Sequence, residues 1–315
     1  MTSSIGSPLL WGGFTLLILS MFVLDLGVFH RKAHAIRPRE ALVWVLICVG
    51  LAALFNLCVW RCFGSQKALE FLTGYLIEEA LSIDNLFVFM VVFSSFSVPP
   101  AYQHRVLFWG IVGALVMRGI FIVVGAALIH TFHWVVFIFG GFLVITGVKF
   151  LSQKETRIHP QQNPVLRLFR RITPVVLEYH GSRFTVVLKG RRYATLLLLV
   201  LVVVEATDVV FAIDSIPAVF AVTTDPFIVY TSNIFAILGL RALYFLLANA
   251  VSRFHYLKIG LGCVLIFVGA KMLVSEYYVV PVGLSLGVIS GLLGLSIIAS
   301  LLRKPVGSSC FSATS

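Results

Sequence analysis

Charge is what this chain lacks. Of its 315 residues only 12% are Asp, Glu, Lys or Arg, 59% are hydrophobic, and the mean hydropathy is +1.02. A soluble domain carries about twice that charged fraction, so an ordinary soluble enzyme is excluded and a polytopic membrane protein is implied. Cysteine is also scarce. Cys48, Cys58, Cys62, Cys263 and Cys310 lie mostly in apolar context, no pair has zinc-finger spacing, and they read as small hydrophobes in helices. No phosphate-cradling loop is present, so ATP is not the expected direct energy source. No Gly-x-Gly-Asp sequence occurs either, which argues against an intramembrane aspartyl protease, and no enzymatic activity is expected. Neither Lys nor Arg precedes the first apolar run, and 8–29 is long enough to span, so the start reads as a span rather than a cleavable signal.

The apolar runs form nine candidate spans: 8–29, 40–61, 68–97, 102–129, 133–151, 193–222, 227–249, 255–275 and 281–302. Basic residues collect on alternate loops. Arg31, Lys32, Arg37 and Arg39 follow the first span, Arg105 the third, and Arg253 and Lys258 the seventh, while Arg303 and Lys304 follow the ninth. The connection after the fifth span carries the largest group, including Lys154, Arg157, Arg167, Arg170, Arg171, Arg183, Lys189, Arg191 and Arg192. The opposite side has little beyond Arg61 and Lys67. By the positive-inside rule the N-terminus is outside and the C-terminus cytoplasmic. The net charge of +11 is therefore a topology signal and a means of contact with lipid headgroups, and no nucleic-acid partner is expected. The long connection reads first as a solvated cytoplasmic connector, within which 163–175 can form a short amphipathic piece and 183–193 a hairpin turning near Gly190.

Two spans repeat one acidic signature. Glu78-Glu79-Ala80-Leu81-Ser82-Ile83-Asp84-Asn85 and Asp208-Val209-Val210-Phe211-Ala212-Ile213-Asp214-Ser215 both set an acid six residues before an Asp followed by Asn or Ser. Arg118 matches Arg241, and Gly147-Val148-Lys149 matches Gly269-Ala270-Lys271. Three spans per unit make the second unit enter the membrane in the opposite sense. The expected fold is all-α and polytopic, with about nine transmembrane helices and two inverted three-helix repeats. The expected organisation is two N-terminal helices (1–67), a first repeat (68–151), a basic cytoplasmic loop (152–192), a second repeat (193–275), and a ninth helix with a short tail (276–315).

Carboxylates inside hydrocarbon default to a functional role. Glu78, Glu79, Asp84, Asn85, Glu205, Asp208, Asp214 and Ser215 offer only oxygen, a donor set suited to Mg²⁺, Ca²⁺ and Mn²⁺ rather than Zn²⁺ or Cu⁺. Residues seven apart share a helix face, so Glu78 faces with Asn85 and Asp208 with Ser215, whereas Asp84 and Asp214 point about 120° away. Pro217 is expected to break the sixth helix below Ile213. Arg118 and Arg241 are candidate partners in structural ion pairs, and Asp25 lies near a span end where capping is expected. Gly12-Gly13, Gly140-Gly141, Gly260 and Gly262 suit close helix packing.

Three stretches, FLTGYLIEEALSIDNLFVF (71–89), EATDVVFAIDSIPAVFAVTT (205–224) and DPFIVYTSNIFAILGLRALYF (225–245), together with SPLLWGGF (7–14), resemble the TerC/Alx family of bacterial inner-membrane proteins. The resemblance runs nearly the full length. It implies an inner-membrane transporter with a metal-ion role, Mn²⁺ export foremost, and a link to tellurium resistance. Carried over by motif, the implied metal ligands are Glu78, Asp84 and Asn85 from the first repeat and Glu205, Asp208, Asp214 and Ser215 from the second. Glu79 stands where many relatives have Lys, and where relatives often have Tyr-Ala-Thr-Pro entering the sixth span Thr195 is here followed by Leu196, leaving the start of that span less sharply defined. The expected activity is divalent-cation export by alternating access with protons as counter-ion and no bound cofactor. The alternative is a membrane-protein assembly factor whose acids form structural ion pairs.

Overall fold

The computed structural model describes residues 4–24, 38–132, 134–152, 174–176, 178–188, 190–247, 256–275, 277–278 and 280–302. Within those ranges the side chains at 22–24, 38, 83, 84, 87, 130, 214, 247, 257, 258 and 301 lie outside the description. The elements run α1 (Pro8–Leu24), α2 (Pro38–Phe63), α3 (Ser65–Ser95), α4 (Pro100–Thr131), α5 (Val135–Ser152), β1 (Val175–Val176), β2 (Thr185–Leu188), β3 (Arg191–Thr195), α6 (Leu196–Phe220), α7 (Pro226–Leu247), α8 (Leu257–Leu273) and α9 (Val282–Leu302). Six helices, α2, α4, α5, α6, α7 and α9, are long and apolar enough to cross a membrane, and α1 and α8 are shorter apolar helices. The 31 residues of α3 reach about 46 Å at the helical rise, but five charges dilute its hydropathy.

The helix boundaries follow local chemistry. Proline opens α1, α2, α4 and α7, where its missing N–H would be unsatisfied in any case and its fixed φ suits the first helical residue. Gly64, at φ 89°, separates α2 from α3 in a conformation that a side chain rarely adopts. The start of α6 is sharper than expected from the sequence. Thr195 Oγ1 caps it by accepting from Leu198 N at 3.4 Å, and the same hydroxyl donates to the Arg183 carbonyl at 2.7 Å. The expected break at Pro217 is not observed. Pro217 sits in the last turn of α6, the helix runs through it to Phe220, and Ala221 N donates to the Pro217 carbonyl. One turn from a helix end, a missing donor leaves the rest of the hydrogen-bond ladder intact.

In the bundle, α7 packs against α2, α3 and α4, and α6 lies against α3 and α4. The side chains of Thr231, Ser232 and Asn233 in α7 are fully buried. Large aliphatic residues such as Leu46 and Leu57 on α2, Val116 and Val123 on α4, and Ile145 on α5 face outward, as a lipid-facing surface requires. The α5–α8 pair is antiparallel and held at backbone distance by four glycines. A Cβ on Gly140 would come within 3.0 Å of the Gly269 carbonyl, and one on Gly269 within 2.7 Å of the Gly140 carbonyl. Gly147 and Gly262 oppose each other in the same reciprocal way, at 2.7 and 3.0 Å. Such a seam lets dispersion act between helices where lipid supplies no hydrophobic drive. Gly260 similarly accommodates Ser296 of α9, whereas Gly12, Gly13 and Gly141 face open space, so close packing does not explain those three.

The two ends of the bundle are closed differently. At the sheet end, β2 and β3 form the antiparallel hairpin expected near Gly190, which lies at φ 76°, and β1 adds a short parallel strand on β3. The sheet is tied to the α3–α4 turn. Tyr179 Oη donates to the Phe96 carbonyl at 2.7 Å, Arg105 donates to Ser182 Oγ at 2.9 Å, and the Arg105 guanidinium lies 5.1 Å from the Phe184 ring. Burial pushes the Tyr179 phenol up to about 12, so it stays a donor at neutral pH. Beneath lies an apolar cluster including Val92, Phe93, Leu197, Val200 and Tyr244. The piece expected at 163–175 falls mostly outside the described residues, as does Asp25.

Polar side chains do this work at the N-terminal end. Glu70 of α3 accepts from Lys67 Nζ at 2.9 Å and from Thr223 Oγ1 at 2.6 Å. Asp225, opening α7, accepts from Phe227 N, from Ser4 Oγ at 2.7 Å and from Ile5 N at 2.9 Å, and lies 3.8 Å from Lys67. One compact cluster thereby joins the N-terminal segment, α3 and the α6–α7 turn.

Candidate functional site

The acidic motifs of α3 and α6 meet midway along the bundle around one arginine. Arg118 of α4 is 1% exposed, and its Nη1 donates to Glu78 Oε2, to Asn233 Oδ1 at 2.7 Å and, more weakly, to Ser215 Oγ at 3.4 Å. Its Nη2 stands 3.9 Å from Asp208 Oδ1. Asn233 of α7 completes the network by donating from Nδ2 to Glu78 Oε1 at 2.6 Å. Four helices, α3, α4, α6 and α7, each contribute at least one side chain. The seven-residue spacing accounts for the α6 face, because Asp208 and Ser215 stack two turns apart and both look toward Arg118. A buried carboxylate persists in such surroundings only with charge and donors supplied to it.

The network is unevenly satisfied. Both oxygens of Glu78 are engaged, one by Arg118 and one by Asn233. Asp208 Oδ2, Arg118 Nε, Ser82 Oγ and Glu79 Oε2 are buried without a hydrogen-bond partner among the described residues. Buried polar atoms are nearly always paired in native proteins, so Asp208 Oδ2 and Arg118 Nε, which belong to one ion pair, mark a place that a further polar species would satisfy.

The remaining sequence-selected residues fall around this centre. Glu205, one turn before Asp208 on α6, lies against Gly113 of α4, where a Cβ would collide with its carboxylate. Asn85 is buried in α3. Glu79 turns away from Arg118 toward Gly239 of α7 and Cys48 of α2. Arg241, the second candidate arginine, sits toward the sheet end with its Nη1 3.4 Å from His104 Nε2. A small cavity of about 10 Å³ between α3, α4, α6 and α7 is bordered by Asp208 at one place and Arg241 at another, with Gly110 and Leu240 between. The backbones of Asp84 and Asp214 continue α3 and α6, but their side chains lie outside the described residues. Among the described residues no three acids, histidines or cysteines converge on one point as a metal cage would require.

Sequence reasoning did not single out Asn233. Its signal was a lone amide beside Thr231 and Ser232 within an apolar span, which by itself cannot be told from an interhelical packing contact. It also missed the cluster of Lys67, Glu70 and Asp225, because those residues lie near span ends where solvent exposure is the ordinary expectation.

Comparison with known proteins agrees with the membrane architecture. Residues 63–307 match the family described as "Integral membrane protein TerC family". An uncharacterized membrane protein of Myxococcus xanthus, STKORF319, is 54% identical over 301 residues, covering 96% of this chain and 94% of its own. A protein of Escherichia coli (strain K12), whose provisional name is membrane-bound redox modulator Alx, is 48% identical over 305 residues, 94% of this chain and 95% of its own. An uncharacterized membrane protein of Rickettsia bellii is 41% identical over 296 residues, 94% of this chain and 98% of its own. No solved structure matches. On the extent of these matches and the acidic spans they enclose, the chain belongs to the TerC family of integral membrane proteins.

Proposed function

We propose that this protein exports hard divalent cations, Mn²⁺ foremost, across the bacterial inner membrane by alternating access. The observation that carries the reading is the under-satisfied, oxygen-rich centre at mid-bundle, where Asp208 Oδ2 has no partner among the described residues and Ser215, Glu205 and Asn85 lie on the same two acidic helices. Asp84 and Asp214 complete the ligand set in this proposal by their position in the motifs. Oxygen donors without sulfur or imidazole favour hard ions, and paired carboxylates offset much of the desolvation cost of the cation. The cavity bordered by Asp208 and Arg241 is the candidate approach to that centre.

In this reading the membrane holds nine spans, with repeats at 68–151 and 193–275 of opposite orientation, flanked by 1–67 and 276–315. The reciprocal glycine seam of α5 and α8 supports that symmetry. Exchanging Gly140 with Gly262 and Gly147 with Gly269 turns each contact into the other, as a two-fold axis in the membrane plane requires. The distribution of Lys and Arg sets the N-terminus outside and the sheet end in the cytoplasm. Protons entering from outside compete for the same carboxylates and supply the counter-ion.

The test is ion flux in sealed proteoliposomes, with Mn²⁺, Ca²⁺ and Mg²⁺ offered separately, with and without a pH gradient. Gradient-sensitive Mn²⁺ movement that disappears in Asp84→Asn/Asp214→Asn is the expected result. Absence of flux of every ion, from folded and inserted protein, favours the assembly-factor reading. That alternative draws its support from Glu78, whose two oxygens are both committed to protein partners.

A further inference from the structure

The guanidinium of Arg118 is held tightly on one side and loosely on the other. Toward α3 and α7 it bonds Glu78 and Asn233, with the Asn233 contact at 2.7 Å, and Asn233 in turn locks the second oxygen of Glu78 at 2.6 Å. Toward α6 its contacts stretch to 3.4 Å at Ser215 and 3.9 Å at Asp208. Asp208 therefore receives a nearby positive charge but no good hydrogen bond from it, and among the described residues its other oxygen has no partner. Arg118 Nε is likewise without a partner among the described residues.

We propose that Arg118 is the resident cation of this centre between transport events, and that its guanidinium and the transported divalent ion are alternative occupants of the Asp208–Ser215 side. The inference rests on the transport reading and adds the identity of the group that the cargo displaces. A divalent ion ligated by Asp208 Oδ2 and Ser215 Oγ would stand close to a guanidinium that now lies 3.9 Å from the same carboxylate. In a water-poor interior, like charges at that separation repel strongly. Arg118 has somewhere to retreat. Its firm bonds to Glu78 and Asn233 hold it as the loose contacts to α6 break, and no new partner is needed. Glu78 is accordingly the permanent counter-ion of Arg118, while Asp208 alternates between Arg118 and cargo. After the cargo leaves, the returning guanidinium neutralises Asp208, so the empty site closes without stranding a carboxylate in hydrocarbon.

Equilibrium Mn²⁺ binding to purified protein in lipid nanodiscs, read by titration calorimetry, tests this without requiring transport. Arg118→Met/Glu78→Gln removes one positive and one negative charge, so net charge is unchanged and neither member of the pair is stranded. With the competitor gone, Mn²⁺ is expected to bind at least tenfold more tightly than to wild type. Arg118→Lys keeps a partner for Glu78 but withdraws the cation from Asp208, and is expected to tighten binding severalfold. It serves as the second variant should the double substitution fail to fold. Unchanged or weaker binding in the folded variants, with wild type binding Mn²⁺, overturns the inference alone. Failure of wild type to bind Mn²⁺, Mg²⁺ or Ca²⁺ overturns the transport reading and this inference with it.

Discussion

Two buried clusters of acid and base lie in this bundle, about two turns apart along α3, and they differ in every respect that governs how readily a charge can be moved. The central one joins Glu78, Arg118, Asn233, Asp208 and Ser215 in surroundings where the guanidinium is 1% exposed. The terminal one joins Lys67, Glu70, Thr223, Asp225 and Ser4, and its lysine side chain keeps 21% of its surface exposed. Arginine stays charged wherever it is buried and presents a fork of donors that can hold several acceptors together. Lysine is a compact, strongly hydrated point charge on a flexible stem. The carboxylates differ too. Asp225 is satisfied by two backbone N–H groups and a hydroxyl before Lys67 is considered, whereas among the described residues Asp208 depends on a 3.9 Å ion pair. The terminal cluster is a fastening, and the central one has been left incomplete where the cargo is proposed to sit.

The largest effect expected from breaking this contrast is at Glu78. Glu78→Ala leaves Arg118 charged and buried with Asn233 as its one firm partner among the described residues, and removing one member of a buried pair costs about 3–5 kcal/mol. Thermal unfolding followed by fluorescence in nanodiscs should show a large fall in midpoint. An unchanged midpoint would mean that Glu78 is not the counter-ion that holds Arg118. Asn233→Ala comes next. It deletes two hydrogen bonds to charged groups, each worth about 1.5–3 kcal/mol. The isosteric Asn233→Asp restores the acceptor for Arg118 but opposes Glu78 Oε1 with a second carboxylate, so its unfolding midpoint should recover only part of the loss seen in Asn233→Ala.

Much of this architecture was legible in the sequence, and the boundary of legibility has physical causes. Span positions follow from hydropathy because lipid forbids unpaired backbone, so α2, α4, α5, α6, α7 and α9 fall close to the expected limits. The β2–β3 hairpin followed from a turn glycine between short β-branched runs. The face shared by Asp208 and Ser215 followed from a spacing of seven. Pro217 was misread because the cost of a proline depends on its distance from the helix end, and that end is fixed by the Thr223 and Asp225 turn, a tertiary feature. Asn233 could not be found because an amide becomes a bridge only when two charges from other helices arrive beside it. Thr195 shows the converse, since its capping role is local and was readable, yet the comparison with relatives drew attention to the missing proline instead.

The terminal cluster sharpens the contrast at smaller magnitude. Lys67→Ala removes contacts of 2.9 Å to Glu70 and 3.8 Å to Asp225, but both acids keep other donors and the lysine is partly wetted. A loss of about 1 kcal/mol is expected, shrinking as ionic strength rises past 0.1 M, where the screening length is about 10 Å. In NaCl or KCl the central cluster should show far less salt dependence, since its charges are buried away from the screening of bulk electrolyte. Ser4→Ala is smaller still. It deletes the 2.7 Å hydrogen bond to Asp225 and an exposed 3.1 Å one from Gly6 N, while Ile5 N continues to hold the other oxygen of Asp225, so about 0.5 kcal/mol is at stake. Its sharper signature is local. Amide hydrogen exchange at residues 4–7 should accelerate severalfold while exchange around Glu78 and Asn233 stays at the wild-type rate. Equal acceleration at both would mean that the N-terminal fastening and the central site open as one cooperative unit, and the division between a fixed end and a yielding centre would have to be abandoned.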